Sequence, residues 1–450
     1  MATLKYDKTG RLLFTKEMKK EYTLLMPQML PVSFAMMKRC FEMDGYKAEI
    51  LDTTHRAVVD TGLKYVHNDT CYPALLVIGQ LIEALESGRY DSHKVALMIT
   101  QTGGGCRASN YIHLLRKALT RAGLDYVPVV SLNLSGLDKN PGFSLSLSLM
   151  VRLIFSVVYG DMIVLLANQC RPYEVTAGDT DRMIEKWIGE IIGQFDAVGA
   201  RAFTKKRFRE NLSRIAADFA SLNVVRTPKT RVGVVGEIYV KFAPLGNNNL
   251  ESFLLKEDCE PVVPGLLDFL LFKINNRSTD VEIYGGNPLK HLLAGVFQHY
   301  IERKQQDMID AVKPYSQFRA PGTFAELREG VSGYLGYGNK MGEGWLLPGE
   351  MLELIHSGIT SIVCTQPFGC LPNHIAGKGM IRLIRTRHPE ANIVAVDDDP
   401  GATRINQEKL NSCWPTPAIL PPGPPPARRP NPPRPNLPFP WPRSNFTIIQ

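Results

Sequence analysis

Three cysteines stand where a folded chain tends to present reactive groups. Cys71 lies in HNDTCYPALL, where Asp69 or Thr70 can cap the helix that follows and Pro73 suits its first turn. A thiol there faces the positive end of a helix dipole, which favours thiolate. Cys106 follows a predicted strand and the glycines Gly103, Gly104 and Gly105 in TQTGGGCRASNY. Glycines let the backbone turn sharply and come close to a bulky ligand. Cys364 ends the predicted strand SIVC, and Cys370 follows in TQPFGCLPNH. Open α/β sheets bind ligands at the carboxyl ends of their strands, so these thiols can converge on one site.

The bland alternative is that free cysteine is a small, usually buried hydrophobe. Cys40 in an apolar helix fits that role, as do Cys170 and Cys259, which have no glycine- or proline-shaped surroundings. No C-x-x-C pair occurs, and Cys364 with Cys370 makes C-x5-C, which matches neither zinc nor ferredoxin spacing. For Cys71, Cys106 and Cys364, spacing alone leaves ligand and structural roles evenly balanced. His374 in LPNHIAGKG suits a ligand or proton donor, although helix capping by Asn373 explains the same residues. Asp397, Asp398 and Asp399 read more readily as a solvated loop before Pro400 than as a metal site. The triple glycine is not a phosphate-binding P-loop, and RVGVVGEIY lacks the dinucleotide fingerprint.

The elements that must position these residues alternate in type. Residues 22–26 are an apolar run, PVSFAMMKRCFEM has helical spacing, and AEIL is strand-like. PALLVIGQLIEALES suits an amphipathic helix before the strand KVALMITQ, and a helix from Ser109 to Arg121 precedes YVPVVSL. This rhythm predicts an α/β fold with mostly parallel sheets. A mainly helical region is expected over 146–230. A second α/β block opens with RVGVVGEIYV and runs through a charged helical stretch at 295–312. It ends on SIVC, a helix from about Ile375 to Arg387, and NIVAVD. The expected division is an α/β lobe at 1–145, the helical region at 146–230, a second lobe at 231–410, and a tail at 411–450.

The tail differs in kind. Its forty residues hold 14 of the 32 prolines, a composition that predicts an extended, disordered segment or an altered end of an ordinary gene. It also carries four Arg and no acid, so removing it leaves +4 of the formal charge of +8. That dispersed excess does not argue for nucleic acid. The most apolar stretch, Phe143 to Ala167, is interrupted by Arg152 and Asp161, so no membrane span is expected. The N-terminal residues lack the apolar core of a signal peptide. A cytoplasmic protein with reduced thiols is the expectation, and eight cysteines in 450 residues are not a disulfide framework.

Taken together, VHNDTCYPALLVIGQ, ITQTGGGCRASNYIHLLRKAL, VGVVGEIYVKFAPLGNNNLE, GNKMGEGWLLPGEM and VCTQPFGCLPNHIAGKGM resemble the 2-hydroxyacyl-CoA dehydratase superfamily. They are most similar to its uncharacterised 2-hydroxyglutaryl-CoA dehydratase-like branch, associated with CoA-enzyme activases. The resemblance runs from about Phe14 to Leu410. It implies two Rossmann-like lobes plus a helical part. It also implies a [4Fe–4S] cluster on three dispersed cysteines, with one iron left open. The matching positions are Cys71, Cys106 and Cys364. Cys370 is an additional or alternative metal ligand, since double-cubane relatives use more cysteines. Gly103, Gly104 and Gly105 would give the cluster room, and His374 and Glu343 are the candidates for proton handling or substrate contact.

The implied chemistry is loss of water from an (R)-2-hydroxyacyl thioester. A low-potential electron on the thioester carbonyl gives a ketyl radical anion, which expels the adjacent hydroxyl and acidifies the β-hydrogen. The implied partners are a separate activator ATPase with its own iron–sulfur cluster, and a homologous subunit or second copy. Two alternatives stand beside this anaerobic lyase. One is a low-potential reductase of a small molecule that is not a CoA ester. The other is a non-catalytic iron–sulfur or zinc subunit acting as scaffold or electron relay.

Overall fold

A short antiparallel pair, β1 (Lys5–Tyr6) and β2 (Leu12–Leu13), opens the chain. The runs TLLMP, KAEIL, VALMIT and VVSL then form β3 (Thr23–Pro27), β4 (Lys47–Leu51), β5 (Val95–Thr100) and β6 (Val129–Leu132). These four are parallel, in the order β4–β3–β5–β6. In β5 the five residues from Val95 to Ile99 are all buried, as expected of a parallel strand covered on both faces. A second parallel sheet holds β7 (Thr230–Gly236), β8 (Cys259–Val262), β9 (Ser361–Pro367) and β10 (Asn392–Asp398), in the order β10–β9–β7–β8. The fold is therefore α/β. The computed structural model describes residues 3–401 apart from 68, 103–104 and 134–137, together with Asn406 and Leu410.

Between the sheets in sequence come helices Leu147–Cys170, Asp179–Val198 and Lys205–Ala220. The first starts where the Ser146 hydroxyl accepts a hydrogen bond from the Leu149 amide at 3.0 Å. Among the described residues, Leu147–Tyr173 is one stretch long and apolar enough to cross a membrane, and 67% of its most apolar window is buried within the protein. Asp161, at its middle, has a structural use. Its carboxylate accepts from the amides of Leu266 (3.1 Å) and Leu267 (2.8 Å), so it caps helix Leu266–Tyr284 from outside.

One continuous apolar core runs from Phe14 and Met18 through Phe155, Leu166 and Trp187 to Trp345 and Ile393. It joins the first sheet, the middle helices and the second sheet. The chain divides into Met1–Trp414 and Pro415–Gln450, and the described elements all belong to the former. The proline-rich segment at 411–450 lies outside the described residues.

Several local expectations are corrected. The helix after His67 spans Tyr72–Glu86 and is capped by Cys71 itself, without a side-chain hydrogen bond, rather than by Asp69 or Thr70. Strand β9 continues three residues past Cys364, because β7 and β10 flank it in register: Cys364 pairs with both Val235 and Ala395. Asp398 is the last residue of β10, not part of a solvated loop, and its carboxylate is buried against the Thr365 hydroxyl.

Candidate functional site

Segments from the carboxyl edges of both sheets meet at the candidate site. Cys106 follows β5 and opens the 3-10 turn Arg107–Asn110, and Cys71 begins the buried helix that leads back to β5. Glu237 is the first residue after β7, and Cys370 comes three residues after β9. Backbone contacts tie these segments together. The Tyr72 amide donates to the Phe368 carbonyl at 3.0 Å, fixing the Cys71 helix start to the loop that carries Cys370.

The sulfurs of Cys71, Cys106 and Cys370 share electrostatic surroundings. Burial pushes the Cys71 thiol up to about 11, and the neighbouring Glu237 and Cys106 push the same way. Burial raises Cys106, helped by Glu343 and opposed by Lys273. Burial also raises Cys370 strongly, with Glu343, Glu237 and Cys71 adding to it. The Tyr111 hydroxyl lies 2.7 Å from the Cys71 sulfur, and the Asn373 side-chain amide lies 3.6 Å from the Cys370 sulfur.

Cys364 stands elsewhere. It is fully buried in mid-strand, and its charged neighbours are Glu350, Asp397, Lys378 and Asp398. A Cβ placed on Gly377 would sit 3.5 Å from its sulfur and 3.6 Å from Asn373 Oδ1, so Cys364 underlies the segment that covers the basin. The thiol that accompanies Cys71 and Cys106 is therefore Cys370. Cys40, Cys170 and Cys259 are buried, Cys40 against the Ser156 hydroxyl at 3.4 Å.

Two carboxyls face the thiols. Glu343 is buried, accepts from the Ile238 amide at 3.3 Å and from the Asn373 amide group at 3.4 Å. Glu237 accepts from the amides of Tyr239 and Val240 at 3.0 and 3.1 Å. Burial holds Glu237 well above the ordinary carboxyl range, and Glu343 adds to this. Burial raises Glu343 too, against the pull of Lys273 and Lys241. Two like charges buried side by side are unfavourable, so each carboxyl opposes ionisation of the other. The Lys273 ammonium donates to the Gly342 carbonyl at 2.5 Å and lies near both Glu343 and Cys106.

The other expected residues are placed as follows. Gly103 and Gly104 lie outside the described residues. Gly105 is exposed, and its amide points at the Met341 sulfur at 3.2 Å. His374 is half-buried in a π-helical turn, Asn373–Lys378, and its amide donates to the Cys370 carbonyl at 3.1 Å. Such turns recur at functional sites. Gly342 has φ +59°, and a Cβ there would lie 2.8 Å from Pro372 and 4.0 Å from the Cys106 sulfur. Sequence reasoning missed Tyr111, Glu237, Lys273 and Asn373. Only Glu237 left a legible trace, as an acidic residue directly after a buried strand.

No protein-family model and no curated protein matches this chain.

The donor set decides what the basin can do. Burial keeps all three thiols protonated at neutral pH, so none is a ready nucleophile. Ligation to a metal centre displaces the proton and removes that obstacle. Among the described residues, no three His, Cys, Asp or Glu side chains are grouped to hold a single metal ion. An iron–sulfur cluster is larger and spreads its thiolates more widely, and three thiols from three separate segments suit it. The carbonyl-side oxygen of Asn373 and both polar ends of the fully buried Gln366 have no hydrogen-bond partner. Asn373 Oδ1 lies beside the Cys370 sulfur, whereas other unpaired buried groups, such as Trp187 Nε1 and Thr180 Oγ1, are remote from it.

Proposed function

We propose that this chain is the iron–sulfur subunit of a low-potential dehydratase or reductase acting on 2-hydroxyacyl-CoA-like thioesters. The carrying observation is that the segments bearing Cys71, Cys106 and Cys370 meet beside the buried Glu343, through the Tyr72–Phe368 and Asn373–Cys370 contacts and the approach of Gly342 to Pro372 and Cys106. Cys71, Cys106 and Cys370 would hold a [4Fe–4S] cluster, and three ligands leave one iron open. Bound there, the cluster would supply a low-potential electron and a Lewis-acidic position for a carbonyl or hydroxyl oxygen.

The chain's own residues have definable tasks. With Cys71 and Cys370 as ligating thiolates, Tyr111 and Asn373 would donate to their sulfurs and temper their charge. Glu343, with Glu237, holds a proton that a departing hydroxyl can take up. Lys273 balances the site's negative charge beside Glu343. The parallel sheets support the reading of two Rossmann-like lobes that direct their carboxyl edges to this basin. Phe368, Leu371 and Ile375 stay exposed on the loop and turn that carry Cys370, an apolar rim suited to the docking of an activator ATPase. A cytoplasmic, anaerobic setting fits the free thiols.

Anaerobic reconstitution with iron and sulfide, followed by Mössbauer and EPR spectroscopy, tests this. About four irons per chain are expected, with the signal lost or converted in Cys71→Ala, Cys106→Ala and Cys370→Ala and retained in Cys364→Ala and Cys40→Ala. Colourless protein that takes up zinc would replace the proposal with the scaffold reading. A cluster that ignores CoA thioesters would leave the low-potential reductase of another small molecule.

A further inference from the structure

A partly open cavity of about 100 Å³ lies at the carboxyl end of β8, where helix Leu147–Cys170, the start of helix Leu266–Tyr284, helix Pro288–Val312 and the end of helix Leu346–His356 come together. The carboxyl ends of parallel strands are where α/β sheets receive ligands. Three carboxyls line this cavity: Asp161, Asp268 and Glu353. Both oxygens of Asp161 are taken by the Leu266 and Leu267 amides. Asp268 is 7% exposed, and one of its oxygens accepts from the Gln305 amide group at 2.7 Å. Its other oxygen has no donor among the described residues. Glu353 likewise spends one oxygen on the Gly322 amide at 3.1 Å and keeps the other free. With the adjoining Glu350, four carboxyls share one ammonium, that of Lys241, which is already bonded to Glu350. Arg319 at the rim is bonded to Glu260, and Glu326, beyond Gly322, accepts from Thr323. A buried acid oxygen without a donor is costly, and a cation of the right size would satisfy it.

We propose that this cavity binds a small organic cation, a primary alkylammonium, with its head between the free oxygens of Asp268 and Glu353. Leu165, Val263, Met308 and Leu354 line the same space and give a short alkyl chain apolar cover. A metal ion needs several oxygens drawn closely together, and among the described residues no three His, Cys, Asp or Glu side chains are so grouped. A guanidinium prefers both oxygens of one carboxylate, but Asp161, Asp268 and Glu353 each have at least one committed elsewhere. An ammonium carries three separate donors and takes single oxygens from different carboxylates. Burial pushes Asp268 up to about 7 and Glu353 to about 8, so an arriving cation favours the ionised forms and releases protons. The cavity shares no residue with the thiol site, and this inference needs no thiol and no cluster.

Isothermal titration calorimetry of the full chain with propylammonium chloride, at constant ionic strength, tests it. Saturable binding is expected, tightening about tenfold from pH 6 to pH 8.5 as the carboxyls ionise. Its heats should differ between phosphate and Tris buffers, because protons are released. Potassium chloride and propan-1-ol should give no saturable heat. Asp268→Asn and Glu353→Gln each keep the oxygen that Gln305 or Gly322 bonds, so circular dichroism should be unchanged while binding weakens about tenfold or more. The cluster-free protein suffices, so a failed reconstitution leaves this test intact. No saturable heat overturns the proposal, as does binding indifferent to both variants or equal binding of propan-1-ol. Tighter binding of magnesium or calcium chloride would overturn it in favour of a metal ion.

Discussion

The phenol of Tyr111 lies 2.7 Å from the sulfur of Cys71, forty residues earlier in the chain, and both are buried. A hydroxyl that donates to a ligating sulfur withdraws charge from it and raises the potential of the centre it holds. Tyr111→Phe should therefore lower the midpoint potential of the reconstituted cluster while iron content stays the same. An EPR-monitored redox titration reads this directly. An unchanged midpoint would show that Cys71 is not a ligand that Tyr111 supports.

The ion pair of Lys241 with Glu350, at 2.8 Å, is almost wholly buried, with side chains 4% and 1% exposed. Removing one partner leaves a charge without compensation, so Lys241→Met alone should cost about 3–5 kcal/mol. Lys241→Met combined with Glu350→Leu should recover most of that loss. Urea unfolding of the single and double variants completes the cycle, and full additivity would show that the two do not interact.

A nest of carboxyls gives stability an unusual pH dependence. Burial pushes Asp161 up to about 6, Asp268 and Glu350 to about 7, and Glu353 to about 8. Asp161, Asp268 and Glu353 border a shared, partly open cavity of about 100 Å³. A carboxyl raised in the folded state binds its proton more tightly there than in the unfolded chain. Its contribution is complete below about pH 4 and is lost as pH rises through 6 to 8. The melting temperature should fall from pH 6 to pH 8.5, and Asp268→Asn should flatten that slope. Differential scanning calorimetry across this range would expose an opposite slope.

Gly236 ends β7 with φ +154°, and a Cβ there would lie 2.0 Å from the Thr365 carbonyl oxygen. Gly236→Ala must push β7 from β9 just where Glu237 enters the basin, and a loss of about 3 kcal/mol or more is expected. Gly189 is the contrasting case, exposed in helix Asp179–Val198 with open space around it. Gly189→Ala should stabilise by up to about 1 kcal/mol. Thermal unfolding of both variants checks the pair of signs.

The alternation of strands and helices was legible because covered strands and amphipathic helices leave strong local patterns. VALMIT and NIVAVD show it, as does the helix that begins at Cys71 with Pro73 in its first turn. What local pattern does not record is how far a strand continues once neighbours hold it. Thr365, Gln366 and Pro367 belong to β9 because β10 pairs with them, and that extension moves Cys364 from the edge into the core. The facing of Glu237 and Glu343, or of Tyr111 and Cys71, depends on packing across forty to a hundred residues. No spacing rule encodes it. The exposed leucines after Pro288 were equally hidden, since 295–312 reads as a charged helix and its apolar lead-in looks like ordinary core.

The continuity of the core has a consequence for synthesis. Helix Leu147–Cys170 packs against Pro31–Met43 on one side and against β8 and the helices after Gly265 on the other. Its second flank has no cover until the ribosome has added roughly ninety further residues or more. During that interval a nascent apolar rod is held half-wrapped, a natural client for a chaperone. Fragments ending near residue 230 should accordingly emerge as aggregation-prone pieces rather than free-standing modules.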